Sequence, residues 1–254
     1  MGKAGLAIVV FGTAACSDNS GGGTTSSPGT LAPTTTTPPS TTVASAAATT
    51  TTTTASPEGS AFHRVDLSFV SAYILYRAGE AALVDTGVDG SADAIEASLT
   101  EVGLGWDSVG HVILTHKHPD HVGSLEDILE RAPESVVYAG ASDIPAIAAS
   151  VAPTAVGDGA VVFDLQIIET PGHTAGHLSV LDSVAGVLVT GDALNGAGAG
   201  VAGPDPAFSE DITIADDSVR KLAGLTFEVA LFGHGEPLLQ GASTAVAELA
   251  AGLG

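Results

Sequence analysis

Short, mostly apolar runs bounded by turn residues recur along the chain from residue 61 onward. Val70–Tyr76 and Ala81–Val84 lie on either side of Gly79, and both have the length and composition of β-strands rather than helices. The same reasoning predicts further strands at His111–Leu114, Ser135–Tyr138, Val161–Phe163, Gln166–Glu169, Leu178–Leu181, Val187–Val189 and Val229–Phe232.

Between these strands, apolar residues recur at the spacing of one face of an α-helix. Ile95, Leu99 and Val102 follow Ser91 at the repeat of one helix face, and Ser91 is a suitable N-cap. Further helices are predicted at Gly123–Arg131, Ser142–Ser150, Asp211–Leu222 and Ala242–Ala251. Because strands and helices interleave, the pattern predicts a fold of the α/β or α+β class.

Residues 17–60 differ in composition from the rest of the chain. Thr, Ser, Pro and Gly occupy 33 of these 44 positions, and the only charged residues are Asp18 and Glu58. A segment with so little apolar surface gains too little from burial to offset the entropy of ordering it. We therefore predict a disordered linker over 17–60 and a folded domain over 61–254.

Residues 1–16 have the features of a targeting segment. Lys3 precedes an uncharged, largely apolar run of 12 residues, which is shorter than the roughly 20 residues of a membrane span. The run Thr13-Ala14-Ala15-Cys16 resembles a bacterial lipobox, in which the cysteine is lipidated. We expect export and a lipid anchor at the outer face of the cytoplasmic membrane. The alternative is an ordinary signal peptide with an incidental cysteine.

Acidic residues greatly outnumber basic ones. The chain has 29 Asp and Glu against 7 Lys and Arg, a formal net charge of −22. Nucleic-acid binders need Lys and Arg to displace phosphate counterions, so we expect no nucleic-acid partner. Anionic membranes are repelled for the same reason, so membrane contact is expected only through the N-terminal anchor. Cys16 is the only cysteine, which excludes an intrachain disulfide and a four-cysteine zinc site.

Three of the eight histidines lie within six residues, directly after a predicted strand. His116 and His118 are two residues apart, so in extended chain both side chains point the same way and can reach one ion. Asp120 and His121 follow the bend at Pro119 and can face a second ion. Imidazole nitrogens and carboxylate oxygens are ligands that zinc accepts without cysteine.

Further potential ligands lie at the ends of other predicted strands. His173, Asp192 and His234 each follow a strand and stand beside glycines that allow close backbone approach. Asp85 ends a fourth strand. Polar residues at successive strand ends indicate a site at one edge of a sheet, although nitrogen and oxygen donors alone do not select one metal.

These segments, in this order, resemble the motifs of metallo-β-lactamase-fold metallohydrolases of the glyoxalase II-like branch. The matching segments extend over residues 85–235: Asp85-Thr86-Gly87, Thr115-His116-Lys117-His118-Pro119-Asp120-His121, Pro171-Gly172-His173-Thr174-Ala175-Gly176-His177, Gly191-Asp192 and Gly233-His234-Gly235. The resemblance implies an α/β fold, a four-layer αββα sandwich with a dinuclear metal site on one edge.

By the family pattern, each metal has three ligands of its own and shares a fourth. The first ion would be held by His116, His118 and His173, the second by Asp120, His121 and His234, and Asp192 would bridge them. The implied cofactors are two divalent ions, usually zinc, with iron or manganese also occurring in the family. Asp120 is also the candidate catalytic carboxylate.

The resemblance also assigns roles to neighbouring residues. Asp85 is expected to accept a ring N–H from a ligating histidine, and His177 is expected to pack beneath the site as a structural residue. An alternative for Asp120 is to cap the helix after Gly123. Lys117 is either solvated or in contact with an anionic substrate.

The implied function is a hydrolase that acts on a small ester, thioester or lactone through a hydroxide bridging two metal ions. The alternatives are a mononuclear iron persulfide dioxygenase, a β-lactamase of the same fold, and a metal-binding lipoprotein without turnover. The expected partner is a small-molecule substrate. The Gly-, Ala- and Pro-rich stretch Asn195–Asp211 is expected to form a loop over the mouth of the active site.

Overall fold

The structure, a computed structural model, describes residues 54–55 and 60–254. Its strands are β1 (Thr54–Ala55), β2 (Ala61–Asp66), β3 (Ser71–Arg77), β4 (Glu80–Val84), β5 (Val109–Ile113), β6 (Val136–Gly140), β7 (Thr154–Val156), β8 (Val161–Val162), β9 (Leu165–Glu169), β10 (Leu178–Asp182), β11 (Val187–Gly191), β12 (Asn195–Ala197), β13 (Gly200–Ala202) and β14 (Val229–Phe232). Its helices are α1 (Ala92–Glu101), α2 (Pro119–Val122), α3 (Leu125–Arg131), α4 (Ile212–Ala223) and α5 (Ala242–Gly252). The predictions for residues 1–16, and for 17–60 apart from 54–55 and 60, lie outside the described residues.

The first sheet contains β1 to β7 in chain order. The strands from β1 to β4 pair antiparallel, whereas β4 to β7 are parallel and need longer connections between them. Helix α1 connects β4 to β5, and α2 and α3 connect β5 to β6. Thr54 and Ala55 pair with Phe62 and Ala61, so the sheet includes two residues that precede the predicted start of the domain.

The second sheet has the strand order β14–β11–β10–β9–β8. Strands β8 to β11 pair antiparallel, and β11 pairs parallel with β14. The segment between β11 and α4 was expected to be a loop, but it contains the small antiparallel hairpin of β12 and β13. Helix α4 then leads to β14 and α5 closes the described chain.

Alternation along the strands sends successive side chains into different apolar layers. Ile74 and Leu83 pack with Ile95 of α1 on the outer face of the first sheet. Their neighbours Leu75 and Val84 face the second sheet. The outer face of the second sheet packs on α4 and α5. The order helix, sheet, sheet, helix confirms the predicted four-layer αββα sandwich.

The predicted helix at Ser142–Ser150 is wrong. Only a single 3₁₀ turn forms there, at Ile144–Ala146. Pro145 has no N–H to donate, and Ile147 adopts extended backbone because its side chain is buried against the apolar layer under α1 and α3. Burial of Ile147 therefore outweighs the helix propensity of the alanines around it.

The helix predicted at Gly123–Arg131 begins later than expected. Helix α2 ends at Val122, and α3 begins at Leu125. Gly123 lies so close to the backbone of Pro119 that a Cβ at this position would stand 2.6 Å from the Pro119 carbonyl oxygen. Strands β2 and β7 were not predicted, since β2 mixes charged and apolar residues and β7 is only three residues long.

Candidate metal centre

One edge of the sandwich collects the seven residues identified by the motifs. Strands β4 and β5 are parallel, and so are β11 and β14, so the carboxyl ends of each pair meet at one edge. Asp192 directly follows β11, His234 follows β14, and His173 lies in the connection from β9 to β10. The segment from His116 to His121 follows β5 and enters α2.

His116, His118 and His173 form the first cluster. The Nε2 atom of His116 lies 3.0 Å from Nδ1 of His118, and Nε2 of His173 lies 2.9 Å from the same atom. His116 and His173 are buried, and His118 is half-buried. Ligand atoms of the three rings all lie within 4.8 Å of one another, close enough to bind one cation.

Asp120, His121 and His234 form the second cluster. Oδ2 of Asp120 lies 3.3 Å from Nε2 of His234 and 3.8 Å from Nε2 of His121. The alternative role of Asp120 as a helix cap is wrong, because Ser124 holds the N-cap position of α3 and Asp120 lies within α2.

Asp192 lies between the two clusters. Its Oδ2 atom is 3.4 Å from Nε2 of His173 and 3.3 Å from Nε2 of His234. Its Oδ1 atom is 3.4 Å from Nε2 of His121. One carboxylate therefore contacts histidines of both clusters, which is the position that a bridging ligand requires.

Two buried atoms at this centre show that the residues fit a metal. Nε2 of His121 and Oδ1 of Asp192 have no hydrogen-bond partner within residues 54–55 and 60–254. A buried polar atom without a partner is costly, so each such atom calls for an explanation. A divalent cation bound by nitrogen and oxygen donors would satisfy both atoms at once.

The pKa values of the first cluster favour metal binding. Burial lowers the pKa of His173 to about 4, and it also lowers the pKa of His118. Burial, reinforced by the neighbouring imidazoles, holds the pKa of His116 well below its ordinary value. Neutral imidazole is the form that binds a metal, so no proton must leave these rings at neutral pH.

The second cluster has the opposite protonation in the metal-free protein. Hydrogen bonds to Asp120 and Asp192 raise the pKa of His234 to about 10. Burial would raise the pKa of Asp192, but His121 and His234 outweigh it and lower that pKa. A metal that binds His234 must therefore displace a proton.

Asp85 supports His121 from behind, at the position expected from the motif. Its Oδ2 lies 2.8 Å from Nδ1 of His121 and accepts the Thr115 hydroxyl at 2.7 Å. Its Oδ1 accepts the backbone N–H of Thr115, also at 2.7 Å. A proton on Nδ1 of His121 leaves Nε2 as a lone pair directed at Asp192, which is the tautomer that a metal ligand needs.

His177 lies beneath the site and holds the backbone of Asp192. Nε2 of His177 accepts the Asp192 N–H at 3.0 Å, so the ring proton belongs on Nδ1, 2.8 Å from the hydroxyl of Thr170. That hydroxyl lies 3.0 Å from the Ser179 hydroxyl, which donates to the Thr190 carbonyl. A directed chain of hydrogen bonds therefore fixes the residue that stands between the two clusters.

Asp143 is a buried residue of this site that sequence reasoning missed. Its carboxylate accepts the Thr174 hydroxyl at 2.6 Å, the Gly176 N–H at 2.9 Å and the Lys117 N–H at 3.1 Å. It therefore joins the segment of His116 and His118 to the segment of His173. No spacing or motif distinguishes Asp143, because its partners lie more than 25 residues away in sequence.

Gly233 allows the second sheet to approach the centre closely. A Cβ at Gly233 would collide with Oδ1 of Asp192 and stand 2.7 Å from Cε1 of His121. The glycine before His234 is therefore required by space, which explains the Gly-His-Gly sequence after β14.

A cavity of about 1080 Å³ opens over the metal centre. Its floor contains His118, Asp120, His173, Asp192 and His234. Its wall contains Phe69, Pro119, Asn195, Ala202, Gly203, Pro204, Asp205, Pro206 and Phe208. The stretch from Asn195 thus borders the mouth as predicted, whereas the part played by Phe69 and Phe208 was not predicted.

Comparison with known proteins agrees with this architecture. Residues 65–234 match the sequence profile of the metallo-beta-lactamase superfamily. The match covers well over half of the chain and includes every residue of both clusters. The chain belongs to the metallo-β-lactamase superfamily, whose fold it shares, and the resemblance drawn from the motifs is confirmed.

Several curated proteins are similar to this chain. Thioesterase pkgB of Emericella nidulans is 33% identical over 176 residues, which are 69% of this chain and 48% of that protein. The probable metallo-hydrolase YflN of Bacillus subtilis is 32% identical over 200 residues, 61% of this chain and 75% of that protein. A hydroxyacylglutathione hydrolase of Alkalilimnicola ehrlichii is 33% identical over 121 residues, 47% of this chain and 44% of that protein. The chain spans about half the length of the first and third of these relatives.

Solved structures share the fold. A metallo-beta-lactamase family protein of Thermus thermophilus superposes with a TM-score of 0.57 at 26% identity, over 72% of this chain and 73% of that one. The metallo-beta-lactamase SMB-1 superposes with a TM-score of 0.58 at 20% identity, over 71% of this chain and 79% of that one. At that identity the second likeness concerns the fold alone.

Proposed function

We propose that this protein is a metal-dependent hydrolase of a small ester, thioester or lactone. The observation that carries the proposal is the position of Asp192, whose two oxygens contact histidines of both clusters. Relatives named thioesterase and hydroxyacylglutathione hydrolase support hydrolysis of an acyl bond.

In this proposal His116, His118 and His173 would hold one divalent ion, Asp120, His121 and His234 would hold another, and Asp192 would serve as a ligand shared by the two. Zinc is the first choice of metal, and iron and manganese are the alternatives. The two ions would polarise the substrate carbonyl and supply a water acidic enough to act as nucleophile near neutral pH.

Asp120 has the position of the catalytic carboxylate. It borders the open cavity, and the hydrogen bond from His234 lowers the pKa of its carboxyl group. Asp120 is therefore ionised at neutral pH, and at the cavity floor its carboxylate can accept a hydrogen bond from a water molecule and orient it. Asp85 and His177 contribute by holding His121 and the backbone of Asp192 in place.

A mononuclear iron dioxygenase would resemble glyoxalase II at the same motif, so the residues of both clusters suit either enzyme class. The two classes differ in metal content, which metal analysis measures. A β-lactamase differs from an esterase in its substrate rather than in this set of residues, so the assay must include a β-lactam.

The test is metal analysis and a hydrolysis screen on one preparation of the full-length protein. We expect two divalent ions per chain and hydrolysis of an ester, thioester or lactone, abolished by chelation and restored by zinc. One iron per chain with oxygen consumption on glutathione persulfide would instead establish the dioxygenase. Turnover of β-lactams alone would establish the lactamase, and loaded metal without any turnover would contradict an enzymatic role.

We propose further that the protein is exported and anchored through a lipidated Cys16, with a small molecule as its only partner at the site and no nucleic-acid partner. The lipobox-like run that ends at Cys16 supports the lipid anchor. The net charge of −22 supports the absence of a nucleic-acid partner. No helix within residues 54–55 and 60–254 is long and apolar enough to cross a membrane. Cys16→Ala should move the protein from the membrane fraction to the soluble fraction. An unchanged membrane pool would contradict the lipid anchor.

A further inference from the structure

We propose that the cavity selects uncharged substrates with an apolar acyl arm and rejects those that carry a carboxylate on that arm. The inference rests on the proposed hydrolase function and narrows its substrate class. It is carried by two features of the described chain, the apolar wall of the cavity and the pairing of its cations.

The wall beside the metal centre is largely apolar and accessible. Phe69 and Phe208 are 60% and 68% exposed although both border the cavity. Pro204, Pro206 and Ala202 continue this surface. An alkyl arm laid on it would gain roughly fourfold in affinity for each fully buried methylene.

Every cation of the folded domain is already paired. Residues 60–254 contain six Lys and Arg, none of which borders the cavity. Each lies within 2.9 Å of a carboxylate, in the pairs Arg64–Glu236, Arg77–Asp182, Lys117–Glu210, Arg131–Glu96, Arg220–Asp217 and Lys221–Asp158. This part of the chain therefore offers no free positive side chain to an anionic substrate.

Lys117 is the cation nearest in sequence to the metal centre, and its ammonium group lies close to two carboxylates. Its Nζ lies 2.5 Å from Oε1 of Glu210 and 3.8 Å from Oδ1 of the buried Asp143. These two carboxylates compensate the charge of the Lys117 ammonium. Contact of Lys117 with an anionic substrate, one of the two roles considered for it, would require this pair to break.

The polar groups of the wall are also unsuited to an anion. The side-chain amide of Asn195 donates to the Gly203 carbonyl at 3.0 Å. Asp205 is exposed at the mouth and is itself negative. A carboxylate at the end of the acyl arm, away from the metal centre, would lose its water, find no Lys or Arg side chain and face the like charge of Asp205, which is unfavourable on each count.

The experiment compares two esters that differ only at the end of the arm. The metal-loaded full-length protein is given p-nitrophenyl hexanoate and mono-p-nitrophenyl adipate, at low and at high NaCl. We expect kcat/KM for the uncharged ester to be at least about tenfold higher, as when a buried charge has no partner. The preference must persist at high salt, because screening removes long-range repulsion by the net charge but does not supply a missing contact. Equal rates, or a preference that disappears in salt, would overturn the inference.

A pair of variants tests the wall directly. Phe208→Lys places a cation at the mouth, and Phe208→Ala removes the same ring without adding charge. Because Phe208 is mostly exposed, both variants are expected to fold, which thermal melting checks. The ratio of adipate to hexanoate turnover should rise about tenfold in the lysine variant relative to the alanine variant, as expected when a charge gains a partner. An unchanged ratio would show that this wall does not contact the arm.

A binding measurement separates this inference from the proposed function. N-methylhexanamide and its ω-carboxylate analogue are titrated calorimetrically into the metal-loaded protein. If no ester, thioester or lactone of the screen is hydrolysed, the hydrolase proposal fails, and the two amides alone decide the inference. Tighter binding of the uncharged amide supports it, and equal or weaker binding of that amide overturns it.

Discussion

The floor and the mouth of the cavity are built in different ways. On the floor, His121 is held by Asp85, the Asp192 backbone by His177, and Nδ1 of His234 lies 2.7 Å from the Phe69 carbonyl. At the mouth, the rings of Phe69 and Phe208 are mostly exposed. We therefore expect the floor to determine which reaction is available and to tolerate little change, and the mouth to determine which substrate is accepted and to tolerate more.

The largest effect is expected at the floor, from Asp192→Ala. The variant removes the carboxylate that contacts both clusters, so we expect loss of bound metal and a fall in kcat/KM of about 10³-fold or more. Turnover and metal content are measured on the same sample. Asp216→Ala is the control, because Asp216 lies half-exposed on α4 and makes no described ion pair. Two bound metals and near-native turnover in Asp192→Ala would refute the assignment.

Metal removal should affect stability as well as activity. Ions that bind only the folded centre stabilise it by mass action, so a chelator should lower the melting temperature by about 5–10 °C for a domain of this size. Re-addition of zinc should restore it. Asp192→Ala, which lacks the shared carboxylate, should show a smaller shift. Identical melting curves with and without chelator would mean that no structural metal is bound.

An intermediate effect is expected from His177→Ala, which leaves every proposed ligand in place. It removes the acceptor of the Asp192 N–H and should lower metal affinity by about 10–100-fold, the usual range for a residue that orients a ligand. Competition with a chelating dye measures the affinity, and turnover should recover at saturating metal. His111→Ala is the matched control, since His111 is half-exposed and packs against Tyr138 and Phe163 instead. Unaltered affinity in His177→Ala would contradict the positioning role.

The smallest effect is expected at the mouth, from Phe69→Ala. The backbone carbonyl that faces His234 is kept, so metal content and melting temperature should not change. KM for a hexanoyl ester should rise about three- to tenfold, because one apolar contact is lost. Val184→Ala, which shortens an exposed apolar side chain that does not border the cavity, is the control. Loss of metal in Phe69→Ala would show that floor and mouth are not separable.

The residues of the two clusters could be identified from sequence because each lies in a short motif after a strand, and because the motifs together resemble those of one family. His116, His118, Asp120 and His121 lie within one short segment, and their spacing after a strand indicates a shared site. The role of Asp85 could also be anticipated. By contrast, Asp143 carries no local signal and matters only through bonds to segments far along the chain.

The secondary-structure predictions show the same difference between features that the local sequence decides and features that distant contacts decide. Most strands were predicted within one or two residues, because a strand that is buried on both faces is a short, continuous apolar run. The helix expected at Ser142–Ser150 failed because Ile147 is drawn into the core, a demand that neighbouring residues do not reveal. Strand β2 was missed because its pairing with β3, rather than its own composition, makes it a strand.

The local pattern was thus sufficient to indicate the fold class and the metal-binding residue types, and the resemblance of the motifs indicated the family. Only the packed structure placed Asp192 between the two clusters and His177 against its backbone. Packing also brought Phe69 to the same cavity as Phe208, and it paired all six cations of the domain with acids. The physical reason is that ligand type depends on the chemistry of each residue, whereas charge compensation and the shape of a pocket depend on contacts between residues far apart in sequence.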